Sequence, residues 1–239
     1  MEKNEKYIMP ASREQMGLWL INQMKQESNA YNIAGVLEFD GNLDVTILEE
    51  SVQEIIKKHE SLRTNLSFIE GSIQQIIHSD LKIPISFVNA EMNKLAEKEW
   101  EKLVHQESLK VFDLENEPLI NFTLVKFSNG YHRLIIVMHH IIADGWSVKV
   151  LIDDLAKAYN SLLIEGKSNL NELDIQFADY AAWQDQNFNN NKFDQAISYW
   201  KGKFNDPIEP LNLPKDYKTD VFHPDESGNL TSIIDEKLY

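Results

Sequence analysis

Along residues 44–58 the apolar side chains Val45, Leu48, Val52, Ile55 and Ile56 recur every third or fourth position, a spacing that gathers them on one face of an α-helix. Asp44 is placed to cap its start, and Leu43 with Leu48 to staple it. A strand is predicted before this helix, over 31–39, and after it 62–68 and 72–77 read as a hairpin around Glu70-Gly71. A second amphipathic helix is predicted over 93–106, with Ala96, Trp100, Leu103 and Val104 along one side. Next, 119–127 and 131–138 flank Ser128-Asn129-Gly130, and an Asn-Gly pair between two such runs is a strong hairpin signal. From Leu134 to Met138 every position is apolar, which predicts a central strand covered on both faces. A third helix follows over 147–163, with Val148, Leu151, Leu155, Tyr159 and Leu162 as its stripe, Ser147 as its N-cap and Gly166 to stop it. The pattern is α/β, with hairpins.

Beyond residue 175 the character changes. Two short helical stretches, 177–188 and 194–204, lead into a segment where four of the seven prolines fall between Pro207 and Pro224, which reads as an extended linker. The remainder, 230–239, is too short for a domain, and no internal repeat is visible. The expected organisation is one compact unit over 1–175, followed over 176–239 by connecting helices, the linker and the start of a second unit.

The 239 residues include 23 Lys and Arg against 38 Asp and Glu, a formal charge of −15. An acidic surface of this size repels phosphate backbones and anionic lipid, so nucleic acid and membrane surfaces are not expected partners. No apolar run reaches the roughly 18 residues of a membrane span. There is no cysteine, which removes disulfides, thiolate-bound zinc and thiol nucleophiles together. The first ten residues carry no apolar signal segment, so a cytoplasmic setting is expected. Only three arginines occur, Arg13, Arg63 and Arg133, and an Arg fork suits a buried carboxylate partner.

The chemistry concentrates in Met138-His139-His140-Ile141-Ile142-Ala143-Asp144-Gly145-Trp146-Ser147, at the junction of the buried strand with the third helix, where α/β proteins place their sites. Side chains alternate across a strand, so His139 and His140 point opposite ways and one can face a cleft. A cleft-facing imidazole can take a proton from an attacking amine or hydroxyl, or hold that nucleophile in place. Asp144 can orient a ring or fix the loop, and Gly145 permits a tight turn or close substrate approach. The plainer alternative is a satisfied core histidine. Metal binding is disfavoured, since neighbouring strand side chains diverge. His78, His105, His132 and His223 read as surface residues, the 58–64 segment as a charged helix end, and Phe177, Tyr180 and Trp183 as a packed helix face.

Taken in order, these segments resemble the condensation domain of nonribosomal peptide synthetases, in the chloramphenicol-acetyltransferase-like superfamily. Ser12, Gln15, Leu18 and Trp19 match its opening pattern, and His59-Glu60-x-Leu62-Arg63-Thr64 its second. Residues 138–147 match the active-site motif, with Ala143 where Ser is commoner. Asp179-Tyr180-Ala181-x-Trp183-Gln184 matches the fourth, and Tyr199-Trp200 and Leu211-x-Leu213-Pro214-x-Asp216 the region that follows. The His-His-x-x-x-Asp-Gly string alone arises by chance in about one in a thousand chains of this size. Asn121 departs from the pattern, standing where the family often has Arg.

The resemblance implies a chloramphenicol-acetyltransferase-like two-layer sandwich, present as one lobe of a two-lobed fold plus the crossing segment. It implies amide formation between a carrier-bound acyl or peptidyl thioester and a carrier-bound aminoacyl group. No cofactor is bound; the substrates ride on phosphopantetheine arms of donor and acceptor carrier proteins. His140 is the working histidine by this carry-over, acting on the amine or on the tetrahedral intermediate. His139 supports it, and Asp144 pairs with Arg63 in a buried salt bridge, so that Arg63→Ala impairs folding. The further partners are the second lobe and adjacent synthetase domains. The finish near Tyr239 reads as a truncation, with an inactive isolated fragment and exposed apolar inter-lobe surface that favours association. The short lead before the first motif reads as the start of the parent protein, with a donor from another polypeptide or an acyl starter. Two alternatives stand beside condensation: an epimerisation domain and a non-catalytic platform for carrier proteins. Heterocyclisation is disfavoured by the paired histidines.

Overall fold

The computed structural model of the chain describes residues 5–24, 28–90, 97–128 and 130–209, with 211, 212 and 214. The predicted helix start over 93–96, Asn129, His223, the motif matches at Leu213 and Asp216, most of the Pro-rich stretch and 230–239 lie outside the described residues. Two compact units are separated after Phe193, a later boundary than the expected 175. The reason is visible in hydrogen bonds: the helix that begins at Phe177 is tied to the first unit through Gln176, whose amide reaches Lys58 and Glu60, and through Gln184, which accepts from the Arg13 N–H at 2.8 Å.

The first unit runs β1 (Lys6–Pro10), α1 (Arg13–Met24), β2 (Asn32–Asp40), α2 (Val45–Lys58), a single 3-10 turn (Glu60–Arg63), β3 (Thr64–Ile69), β4 (Ser72–His78), β5 (Ile85–Asn89), α3 (Glu97–Ser108), β6 (Ile120–Ser128), β7 (Tyr131–His139), α4 (Gly145–Glu165) and α5 (Phe177–Asn189). In the second unit, α6 (Asp194–Lys203) leaves Tyr199 and Trp200 exposed.

Two sheets organise the first unit, one of order β1-β4-β3 and one of order β2-β7-β6-β5. In the larger sheet β7 runs antiparallel to both neighbours, and β5 adds in parallel beside β6. As its unbroken apolar run predicts, β7 is buried throughout 134–138. Ile136 and Met138 face Val148, Leu151 and Ile152 of α4 across a small cavity. The opposite face meets α3, where Trp100 packs edge-on against Phe127 at 5.5 Å and lies under the Arg133 guanidinium at 4.8 Å.

Local signals terminate the elements as their chemistry requires. The Asp44 carboxylate accepts from the Ile47 N–H at 3.1 Å at the start of α2, and Gly166 ends α4 in the left-handed region at φ 69°. The β3–β4 hairpin turns at Glu70 and Gly71, both at positive φ, the geometry that matches strand twist in a two-residue turn.

Helices α2 and α4 are joined by a buried carboxylate. Asp154, 4% exposed, sits 2.8 Å from both Lys58 Nζ and His59 Nε2. Burial alone raises a carboxyl pKa, but the hydrogen bonds from Lys58 and His59 outweigh it and hold Asp154 below the ordinary carboxylate range. The charged end of α2 is therefore structural. Asp154→Ala strands the Lys58 ammonium and leaves the His59 ring without its partner against the core, and because Lys58 and His59 retain some solvent contact the expected cost is about 2–3 kcal/mol. Urea unfolding should show that loss as a lower midpoint at unchanged slope.

Candidate functional site

β7 leaves the sheet with its amide hydrogens committed. The His139 N–H donates to the Leu119 carbonyl at 2.9 Å, the His140 N–H to the Tyr31 carbonyl at 2.7 Å, and the Ile142 N–H to the His139 carbonyl at 3.1 Å. The chain then turns and enters α4. This sharp exit separates the two histidines as strand alternation predicts.

His139 points inward and is 2% exposed. Its Nδ1 accepts the Ile141 N–H at 3.1 Å, which assigns the ring proton to Nε2. The Phe112 ring meets it edge-on at 6.3 Å. Burial, with a smaller push from His140, lowers its pKa to about 4. His139 is a neutral brace. His140 is exposed on the opposite side and lines a cleft of about 770 Å³. Leu18 and Ile21 of α1, Tyr31 ahead of β2, and Phe177 and Tyr180 of α5 form much of its wall.

The expected Asp144–Arg63 salt bridge does not form. Asp144 is exposed and caps α4: its Oδ1 accepts from the Ser147 N–H at 2.8 Å and from the Ser147 hydroxyl at 2.6 Å, while the Ser147 Oγ accepts the Asp144 N–H. These bonds, from the Ser147 side chain first, lower its pKa, and the nearby His140 ring adds to the effect. Asp144, not Ser147, is thus the N-cap, because Asp-x-x-Ser closes a reciprocal capping box. Arg63 is 9% exposed and turns elsewhere, with Nη1 donating to the His78 carbonyl and Nη2 lying 3.3 Å from Glu60 Oε1. Glu60, one turn earlier, is the nearer carboxylate. Gly145 opens α4, and a methyl group placed on its Cα would meet nothing within 4 Å, so neither a special backbone angle nor a close approach requires glycine in this structure.

Other readings shift as well. His132 is 4% exposed, since it lies inside β7, and His78 is half-buried, its Nε2 2.8 Å from Asn65 Oδ1. The aromatic face of α5 is open where a packed one is expected: Phe177, Tyr180 and Trp183 are each at least 40% exposed. The Asn121 amide meets Glu107 at 3.0 Å. Gln15 gives only a motif position in the sequence, yet it is buried at the cleft beside Ile141; its Ser-x-x-Gln spacing was the available signal. Among the described residues no helix is long and apolar enough to cross a membrane.

The buried His139 generates a pH dependence. The unfolded ring takes up a proton below about pH 6.5, whereas the folded ring resists until about pH 4. Its contribution to stability is therefore complete above about 6.5 and falls by about 3 kcal/mol in all as the pH drops to 4 and below. His139→Asn keeps an acceptor for the Ile141 N–H. The difference between the acid-denaturation profiles of wild type and variant should show this slope, and parallel profiles would refute it.

The family model for the condensation domain matches residues 5–236. Chondramide synthase cmdD of Chondromyces crocatus is 33% identical over 212 residues, 88% of this chain and 5% of that protein. Tyrocidine synthase 3 of Brevibacillus parabrevis is 33% identical over 220 residues, 91% of this chain and 3% of that protein. Among solved structures, the complex of the X-domain and OxyB from teicoplanin biosynthesis aligns with a TM-score of 0.80 at 24% identity, covering 91% of this chain and 47% of that one. The starter condensation domain of rhizomide synthetase RzmA aligns at 0.77 and 19% identity, covering 85% and 49%. The chain thus spans about half of these solved chains and a few per cent of the synthetases.

Proposed function

The chain belongs to the condensation-domain family, and from that membership we propose that it supplies the histidine-bearing half of a catalyst that forms amide bonds in nonribosomal peptide synthesis. The substrates are an acyl or peptidyl thioester and an aminoacyl group, each carried on the phosphopantetheine arm of a carrier protein. One observation carries the reading: of the adjacent histidines, only His140 opens on the cleft, while His139 is a buried, neutral brace.

The chemistry follows from that division. The acceptor amine attacks the thioester carbonyl, the new C–N bond forms as the C–S bond breaks, and the proton lost by nitrogen ends on the departing thiol. His140 orients the amine and serves this proton transfer, or stabilises the tetrahedral intermediate, from a position where solvent and substrate can reach its ring. His139 cannot share the task at neutral pH, because Nδ1 is occupied and protonation is opposed by burial.

The coverage of about half of each solved relative supports a further part of the proposal: the fragment alone is inactive and needs the remaining half of the domain, carrier proteins and adjacent synthetase domains as partners. A cytoplasmic setting belongs to the same proposal.

The test joins this chain to the remaining half, supplies loaded donor and acceptor carriers, and compares wild type with His140→Ala. Amide formation should fall by about 10²- to 10⁴-fold in the variant, with folding intact because the ring is exposed. Equal rates overturn the assignment of His140. Inverted stereochemistry without a new bond makes the domain an epimerase, and carrier binding without turnover makes it a platform.

A further inference from the structure

We infer that Gln15 is a positioning residue for His140: from the first turn of α1 its buried amide holds the carbonyl of Ile141 and thereby fixes the turn that presents the imidazole. Gln15 is 3% exposed. Its Nε2 donates to the Ile141 carbonyl at 3.2 Å and to Gln75 Oε1 at 3.4 Å, and its Oε1 accepts the Ser12 N–H at 3.0 Å. Gln75, 1% exposed, donates in turn to the Pro10 carbonyl at 2.8 Å. Each amide has a partner on both its nitrogen and its oxygen, the condition under which polar groups are tolerated in a core and under which they impose one geometry.

The turn depends on this outside support. Its bonds from His140, Ile141 and Ile142 all use N–H donors, directed at Tyr31 and His139. The Ile141 carbonyl, in a residue that is 3% exposed, needs a donor from another element, and Gln15 provides it. Without that donor a buried acceptor is left unpaired next to His140, and the peptide is free to rotate toward solvent.

The residue type carries the argument further. Ser12 and Gln15 form a reciprocal cap on α1, since the Ser12 hydroxyl also accepts the Gln15 N–H at 3.2 Å. Glutamate serves that cap as well as glutamine does. The amide accepts from Ser12 and donates to Ile141 at once, whereas an ionised glutamate can only accept. A cap explains either side chain, but the turn demands Gln.

This inference rests on the proposed function only in treating His140 as the working side chain, and its test requires no amide formation, so the two can fail separately. Amide hydrogen exchange is measured on the full 239-residue chain for wild type, Gln15→Glu and Gln15→Met, together with the imidazole nitrogen resonances of His140. In both variants the Ile141 and Ile142 amides should exchange about tenfold faster and the His140 resonances should move, while amides of Leu124 and Ile135 hold their wild-type rates. The Met16 amide in the first turn of α1 should stay protected in Gln15→Glu and loosen in Gln15→Met. Wild-type exchange at Ile141 and Ile142 in either variant overturns the inference. So does equal acceleration throughout β6 and β7, which would make Gln15 a support of the whole fold. Gln15→Met keeps the test decisive if the buried carboxylate of Gln15→Glu prevents folding.

Discussion

A strand covered on both faces can reach the surface only if every amide it frees on the way is bonded again, and β7 meets that constraint at its last residue. His139 remains inside, bonded through its backbone to Leu119 and through its ring to the next turn. Because that side chain is inward, the next is outward. The exposure of His140 is thus a geometric result of burying its neighbour, and the cleft forms where α1 and α5 meet that exit.

Carboxylates around this exit are sorted by what they can reach. Asp144 serves its own helix, Glu60 serves Arg63, and Asp154 ties α2 to α4. Each satisfies a local need, and none is left facing an apolar wall alone. The site consequently contains one imidazole in a largely apolar setting, rather than a network of coupled charges. Asp144 is an electrostatic neighbour of His140, and its carboxylate is already held by Ser147.

α2, β7 and α4 were legible because apolar periodicity survives wherever one or both faces are buried: 44–58, 131–138 and the stripe of α4 all follow it. β1, α1 and β5 were not legible from pattern. β1 and β5 are short and leave many side chains exposed, while α1 buries only Gln15 fully and spreads its apolar residues around the cleft. The paired histidines and their strand-end location could be read, because spacing and alternation decide them. The partner of Arg63 could not, since distance between elements decides it and two carboxylates compete. Nor could the burial of His132, whose polarity suggested surface although its place in β7 puts it inside.

The strand order has a consequence for how this molecule is made. β7 lies between β2 and β6, and Asn32 pairs with His139, so the ends of that ladder are about a hundred residues apart along the chain. A ribosome must therefore deliver the chain through His139, well over half of the first unit, before β2 gains its partner. Until then β2 waits with both edges open.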